Sequence, residues 1–253
     1  MPRCGGARVA PGMGSSVFRQ PPVVSVEEAI ARMRAIGAHI EDREPLGRGD
    51  GVASFNHLYL VITTRILAGI RDGFFEDRQF LTVLDVAFAN RYLDALRASV
   101  EAPEAVPRSW RVLIERRSSP HIWSIQFAVA GVNAHINLDL AVALMRTFDE
   151  LGRHPDHGTQ RRDYENVNRI FALEMQSLRQ HFLDDTGDAI DDVVAPLLNL
   201  LNNWSVDAAR DAAWAVGEHL WLLGWLGLDP EPAVRRIDRM TALAGSFLLT
   251  PLR

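Results

Sequence analysis

The sequence predicts an all-α protein, folded as a single globular multi-helix bundle of about nine helices around one buried central helix. Three observations indicate this fold class. Sustained alternation of apolar and polar residues, typical of half-buried strands, is nearly absent from the 253 residues. Signals for helix starts and stops recur from end to end. The segment 120–151 is apolar on nearly every side, as expected of a helix enclosed by others.

Composition restricts the class of protein. An apolar fraction of 47% and a charged fraction of 23% are ordinary for a globular chain of this length, which can bury one large core. The net charge of −5 and the lack of a Lys/Arg cluster argue against a nucleic-acid partner. The single cysteine, Cys4, excludes internal disulfides and Cys-ligated zinc. No apolar run approaches about 18 residues, so no membrane span is expected.

The N-terminal residues differ in composition from the rest of the chain. Residues 1–22 are expected to be a disordered leader, and residues 23–253 to form a single all-helical domain. The first 20 residues are rich in Gly, Pro and Ser, and they lack the central apolar block of a secretory signal. Met13 is an alternative start to Met1. A cytoplasmic location is therefore expected.

Local signals place the helices of the first half. Ser25 opens a Ser-Val-Glu-Glu capping box, and Gly37 is a candidate stop for the first helix. Gly73 ends the second helix, and Asp77 begins the third. Ser119-Pro120 is a cap followed by proline, which opens the central helix. The predicted helices span residues 25–37, 54–72, 77–100, 108–117 and 120–151.

The second half is read in the same way. Asp163 and Ser205 are candidate N-caps, Asp229-Pro230 repeats the cap-then-proline pattern, and Pro196 kinks or splits its helix. The predicted helices span residues 163–182, 189–203, 205–226 and 230–249. No internal repeat or linker divides the chain, which favours a single domain.

Four polar residues interrupt the middle of the central helix. They occupy every second position and are Asn133, His135, Asn137 and Asp139. At 3.6 residues per turn, His135 and Asp139 stack on one face, and Asn133 and Asn137 stack on the roughly opposite face. Buried polar groups need partners, so this segment predicts a polar site in a helical core. The two asparagines could bind a ligand or tie helices together through their amides, for example to residues 163–168.

Other helices carry ionisable residues on apolar faces. These are His57, Asp85 and Glu174, which with His135 and Asp139 supply two imidazoles and three carboxylates. That donor set suits a divalent Zn, Fe, Mn or Mg ion. The alternatives are a core histidine at His57 and a cap or buried salt bridge at Asp85. Neither the Glu-x-x-His pairs of di-iron proteins nor the zincin motif is present.

The helix predicted over 205–226 has a second unusual face. Its members recur at four/three spacing and are Asp207, Asp211, Trp214, Glu218, Trp221 and Trp225. Indoles beside carboxylates can line a ligand pocket, with Trp214, Glu218 and Trp221 as its walls. The plainer interpretation places the tryptophans in the core and the acids in the solvated first turn.

The blocks just described resemble those of a known family. The most specific block is Gly131-Val-Asn-Ala-His-Ile-Asn-Leu-Asp-Leu140, accompanied by Phe55-Asn-His-Leu-Tyr59, Leu84-Asp-Val-Ala-Phe-Ala89, Trp110, Asp163-Tyr-Glu-Asn-Val-Asn168 and Ala213-Trp214. They are similar to motifs of an uncharacterised bacterial domain of unknown function, common in actinomycetes. The resemblance implies an all-helical protein and brings no established activity.

Three functional hypotheses follow. The first is an enzyme acting on a fairly apolar small molecule, by hydrolysis or a lyase or cyclisation step. In it His135, Asp139 and Asp85 are catalytic, with or without a metal held by His57, Asp85, His135, Asp139 and Glu174. The second is a metal-free cyclase or a small-molecule-binding protein whose helical pocket shapes an apolar ligand. The third is a structural or interaction protein without a site.

No phosphate-binding loop is present, so no nucleotide cofactor is expected. The oligomeric state is left open.

Overall fold

The all-α class is confirmed by the computed structural model, which describes residues 16–42, 49–155, 158–184 and 206–251. Within those ranges the chain forms helices and no strand. The α-helical segments are α1 Val26–Glu41, α2 Gly51–Asp72, α3 Arg78–Glu101, α4 Arg108–Arg116, α5 Ser124–Ala134, α6 Leu140–Leu151, α7 Thr159–Asp184, α8 Val206–Trp225 and α9 Glu231–Leu248.

The predicted central helix lies at the middle of the bundle. The segments α5 and α6 are joined by a π-helical turn, His135–Asp139, into one continuous helix, Ser124–Leu151. It packs against α2, α3, α8 and α9. By length and composition this helix could cross a membrane, but 94% of its apolar window is buried inside the protein. Core packing therefore accounts for its apolar surface.

Several predicted caps are confirmed. The Ser25 hydroxyl accepts from the Glu28 N–H at 3.1 Å, and Asp77 accepts from the Phe80 N–H at 2.9 Å. Gly73 ends α2 in the left-handed region, with φ of 75°. These local hydrogen bonds satisfy helix-terminal groups that would otherwise have no partner.

The predicted stop of the first helix is wrong. The helix α1 continues through Gly37 to Glu41, because Ile36 and Ile40 extend the same buried face into the core. Gly37 lies against the Asn56 side chain of α2. A small residue there allows the two helices to approach, and Asn56 Nδ2 donates to the Met33 carbonyl at 2.8 Å. Gly37 is thus a packing residue within the helix.

The start of the central helix also differs from the prediction. It begins at Ser124, four residues after Pro120, because Gln126 provides the decisive contacts. Its Oε1 accepts from the Trp123 N–H at 3.1 Å, while its Nε2 donates to the Leu248 and Thr250 carbonyls, both at 2.8 Å. The two bonds from Gln126 Nε2 are long-range, so local capping rules do not predict them.

Asp163 caps a different helix from the one predicted. The helix α7 begins earlier, at Thr159. The fully buried Asp163 carboxylate accepts from the backbone N–H groups of Glu76 and Asp77, at 3.1 and 2.6 Å. It therefore stabilises the entry to α3 from across the bundle.

The N-terminal boundary of the folded region is earlier than predicted. Ser16–Phe18 forms a 3₁₀ turn, and Phe18 is only 3% exposed in the main core. Residues 16–22 are therefore not a disordered leader. Residues 1–15, with both candidate starts, lie outside the described residues. So do the predicted helix 189–203 with Pro196 and the predicted cap Ser205.

A close helix crossing fixes α5 against α2. A Cβ added at Gly131 would overlap the ring of Phe55, a side chain that is 1% exposed. In contrast, a Cβ at Gly224 in α8 would meet nothing within 4 Å. The close approach of Phe55 therefore requires a glycine at position 131, whereas position 224 has room for a side chain.

Gly131→Ala is therefore expected to lower the free energy of unfolding by about 1–3 kcal/mol, because Phe55 must move in a filled core. Gly224→Ala is the matched control, and it should be neutral or stabilising by about 0.5–1 kcal/mol through helix propensity. Urea denaturation of both variants measures the difference. Equal stability of the two variants would contradict the crossing described here.

Candidate functional site

The π turn brings His135 and Asp139 together in the core. The Leu140 N–H bonds the His135 carbonyl five residues earlier, which widens the helix locally. His135 Nδ1 lies 3.0 Å from Asp139 Oδ2, and the two side chains are 3% and 0% exposed. The predicted local pair is confirmed as a buried hydrogen-bonded dyad.

Two further donors converge on the same carboxylate. The Trp110 Nε1–H donates to Asp139 Oδ2 at 2.7 Å, and the Arg91 Nε–H donates to Oδ1 at 3.3 Å. An ionised carboxylate has no proton to donate, so Asp139 also accepts a hydrogen bond from His135. The His135 ring therefore carries its proton on Nδ1, which leaves the Nε2 lone pair free to accept.

Aromatic rings enclose the His135 imidazole. Phe88 stacks on it with centroids 3.5 Å apart and planes at 11°, and Tyr59 meets its edge at 4.4 Å. Phe55 and Trp110 lie at 5.5 and 6.0 Å. Burial in this apolar shell lowers the pKa of His135, although Asp139 opposes the shift. The imidazole is consequently neutral at neutral pH.

The ring of His135 forms part of the wall of a cavity between α2, α3 and the central helix. The cavity has a volume of about 60 Å³. Its lining is apolar except at a few side chains, among them Tyr59, Asp85 and Arg210. Among the described residues, His135 Nε2 has no hydrogen-bond partner although it is buried.

Asp85 lines the same cavity from α3. It is 5% exposed, and its Oδ2 has no hydrogen-bond partner within the described part of the chain. Burial raises the pKa of Asp85 to about 7. A carboxyl group of this kind carries its proton up to near-neutral pH and can donate it.

Two predicted members of the cluster lie elsewhere, which corrects the five-group donor set. His57 is exposed, because α2 is apolar on two faces and buries the one with Phe55, Tyr59 and Ile62. Glu174 is paired with Arg65, whose Nε lies 2.7 Å from Glu174 Oε1. In the described ranges, no three His, Cys, Asp or Glu side chains form a group that could hold a metal.

The two asparagines bond each other on the central helix, and Asn133 joins that helix to α9. Asn137 Nδ2 donates to Asn133 Oδ1 at 3.0 Å, and Asn133 Nδ2 donates to the Thr241 carbonyl of α9 at 3.0 Å. The predicted pairing is confirmed, while its partner is α9 and not the 163–168 segment. Neither asparagine lines the cavity with His135. Their amides thus serve the packing of the central helix.

The tryptophan face of α8 also lies apart from the cavity. Trp214 is 1% exposed and packs on Phe80, Phe148 and Tyr164, so it is a core residue. Trp221 is half-buried, with its ring 4.7 Å from that of His154. Glu218 is half-buried, and like the two tryptophans it does not contribute to the cavity wall.

Sequence reasoning missed the two side chains that hold Asp139. Arg91 lies three residues after Phe88, and Trp110 lies near the start of α4. One indication of such partners is present in the sequence: a buried carboxylate such as that of Asp139 requires a cation or several hydrogen-bond donors. Helical periodicity does not identify which arginine bonds Asp139.

Comparison with known proteins places the chain in a family. A model described as a family of unknown function, DUF5995, matches residues 26–251. The chain belongs to the DUF5995 family. Searches of curated proteins and of solved structures returned no match. The match begins where α1 begins and includes the nine described α-helices of this DUF5995 protein, so the dyad and the cavity lie inside the family region.

Asp139→Asn is expected to lower the free energy of unfolding by about 3 kcal/mol or more. The neutral amide leaves Arg91 without its counter-charge, and its NH₂ group faces an N–H donor where the carboxylate oxygen accepted. Asp94→Asn is the matched control. It removes a half-exposed ion pair with Arg97 and should change stability by less than about 1 kcal/mol. Chemical denaturation at neutral pH gives both values. A similar small loss in both variants would refute the role given to Asp139.

Asp85 makes stability depend on pH. Its folded pKa of about 7 lies above the ordinary aspartate pKa of 3.8, so between these values the folded state binds more protons than the unfolded state. The stabilisation that protonated Asp85 gives to the folded state is fully present below about pH 4. It is lost as pH rises through about 7, and the total loss in the free energy of unfolding is roughly 4 kcal/mol. Asp85→Asn should lack this loss, and unfolding at about pH 5 and pH 8 compares the two proteins. Parallel pH profiles would exclude the raised pKa.

Proposed function

We propose that this protein is an enzyme that transfers protons on a small, largely apolar molecule bound in the cavity. His135 acts as the general base and Asp85 as the general acid. One observation carries the proposal: His135 Nε2 is held in its acceptor form by Asp139, yet it is buried without a partner in the cavity wall. Buried polar atoms without partners are uncommon in folded proteins, and a substrate proton would supply the missing contact.

The protonation states of the two groups suit this chemistry. Burial keeps His135 neutral and able to accept a proton, and burial keeps Asp85 protonated up to about pH 7. Both are in their reactive forms together in a window that ends near neutrality. A bell-shaped dependence of rate on pH follows, with its alkaline limb set by Asp85.

A lyase or cyclisation step fits this pair. His135 Nε2 takes a proton from a C–H or O–H bond of the substrate, whose electron pair forms the new double bond or ring bond. Asp85 gives its proton to the departing hydroxyl group or, in a cyclisation by addition to a double bond, to the carbon of that bond that does not form the ring bond. The resulting imidazolium and carboxylate return to their starting states by exchanging a proton through water, and the substrate keeps its net charge.

The lining of the cavity defines the class of substrate. Most of its side chains are Leu, Ile, Val and Phe, which bind hydrocarbon by burial. Arg210 also lines it, but its guanidinium donates to Asn168 and to the Tyr164 carbonyl and stacks on the Tyr164 ring. Because these contacts already occupy N–H donors of Arg210 and the rest of the lining is largely apolar, a small molecule with few polar groups is the best match.

A metal-assisted version of the reaction has less support. Of the five proposed ligands, only His135 and Asp85 line the cavity. Asp139 already accepts from three donors, one of them the positively charged Arg91. Catalytic zinc sites use three protein ligands, which exceeds what the described part of this cavity offers.

A second candidate is a binding protein that holds an apolar ligand without changing it. The nearly continuous apolar lining favours this function. In that case His135 Nε2 would accept a hydrogen bond that orients the ligand. The two candidates differ in whether a bound molecule loses a proton.

A small apolar reporter separates them. 5-Nitrobenzisoxazole opens its ring when a base removes one carbon-bound proton, and the phenolate product is coloured. The wild-type protein is expected to accelerate this reaction above buffer with saturation. His135→Ala should remove at least about 90% of the rate, because a positioned base contributes roughly 100-fold or more.

His57→Ala is the matched control, since His57 is exposed on the outer face of α2 and should keep the wild-type rate. Circular dichroism verifies that each variant is folded. Saturable binding without ring opening would favour the binding function over the enzyme. A rate that survives in His135→Ala would overturn the role of His135 as the base.

A further inference from the structure

A second cavity lies across the central helix from the first. Leu138 and Val142 form part of its wall, whereas His135, Ile136 and Leu140 line the cavity of the proposed active site. Its volume is about 530 Å³, which is large enough for a small organic molecule. It is a distinct cleft between α3, α4, α6 and α9.

Charge distinguishes this cleft from the rest of the molecule. The chain as a whole carries a net charge of −5, yet arginines outnumber acidic residues in the cleft wall by five to three. The arginines are Arg91, Arg108, Arg111, Arg146 and Arg235, and the acidic residues are Glu104, Glu231 and Asp238. An excess of positive charge in a concave site attracts anions.

Two of the acidic residues are already engaged. The Asp238 carboxylate accepts from the backbone N–H groups of Arg108 and Ser109, both at 2.9 Å, and so caps α4. Glu231 lies 3.4 Å from Arg235 in an ion pair. These carboxylates therefore neutralise few of the guanidinium groups that line the cleft.

Arg91 of α3 and Arg146 of the central helix have few counter-charges within the described part of the chain. Arg146 forms no hydrogen bond or ion pair with any residue in the described ranges, and the only such contact of Arg91 there is the single 3.3 Å bond to Asp139. Partial desolvation lowers the pKa of Arg146, and the charge of Arg91 adds to that shift, while the carboxylates of Asp94 and Asp139 oppose it. Like charges that face a common space are stabilised when an anion lies between them.

We propose that this cleft binds a small organic anion. Its oxyanion head, a carboxylate or a phosphate, is held by the guanidinium groups of Arg91 and Arg146, which match such heads through paired N–H donors. Its apolar part lies on Leu138, Val142 and Met145. The site is independent of the proton-transfer function, although Arg91 connects it to Asp139 and thereby to His135.

Calorimetric titration with matched probes tests the site. Octanoate and octyl phosphate carry both parts of the proposed ligand, octanol lacks the charge, and inorganic phosphate lacks the apolar part. Wild-type protein is expected to bind at least one of the two amphipathic anions more tightly than octanol and inorganic phosphate. The tighter of the two identifies the head group.

Arg146→Gln should weaken the binding of that anion by roughly 10- to 100-fold, as expected for one lost charge-assisted partner. Arg146 is exposed, so the variant should fold, which circular dichroism verifies. Arg71→Gln is the matched control, because Arg71 is an exposed arginine paired with Glu27 outside the cleft, and its affinity should equal that of the wild type.

Three results would overturn the proposal. They are octanol binding as tightly as octanoate and octyl phosphate, unchanged affinity in Arg146→Gln, and no binding of either amphipathic anion by the wild type. Unchanged affinity in Arg146→Gln would place the probe elsewhere, including the apolar cavity beside His135. The ring-opening assay reports on His135 separately, so failure of one proposal is distinguishable from failure of the other.

Discussion

The carboxylate of Asp139 joins three parts of the bundle at one buried point. It accepts from Arg91 of α3, from Trp110 of α4 and from His135 of its own helix. A carboxylate with no exposure to solvent is stable only when such donors replace water. The orientation of the imidazole, the position of the indole and the approach of α3 to the central helix all depend on this network.

The contacts that the sequence predicts correctly join residues that are close together in the chain. His135 and Asp139 are four residues apart in one helix, so their contact follows from helical geometry, and the same is true of Asn133 and Asn137. The caps at Ser25 and Asp77 and the stop at Gly73 are likewise local. The family resemblance seen in the same motifs agrees with the family match.

The parts that could not be read depend on contacts between distant segments. His57 and Phe55 lie on two apolar faces of α2, and only the neighbouring helices determine which face is buried. Asp163 has the sequence context of a cap for its own helix, but its partners are 86 and 87 residues away. Arg91 and Trp110 reach Asp139 from 48 and 29 residues away in sequence. Tertiary packing sets these contacts, and periodicity does not encode it.

The π turn at His135–Asp139 has a consequence for how the chain tolerates changes in length. A hydrogen bond that spans five residues holds one residue more than an α-helical turn, so the turn is equivalent to a single insertion in a regular helix. Deleting one residue there would leave an unbroken α-helix, and the two flanks would keep their relative orientation, because the wide turn already absorbs the rotation of about 100° that one residue adds. Gly131 facing Phe55 and Leu144 facing Gly217 would then stay in phase with each other. Deleting one residue from a regular α-helical turn between these contacts would instead put them about 100° out of phase. A change in length between the two contacts is therefore tolerated only at the π turn.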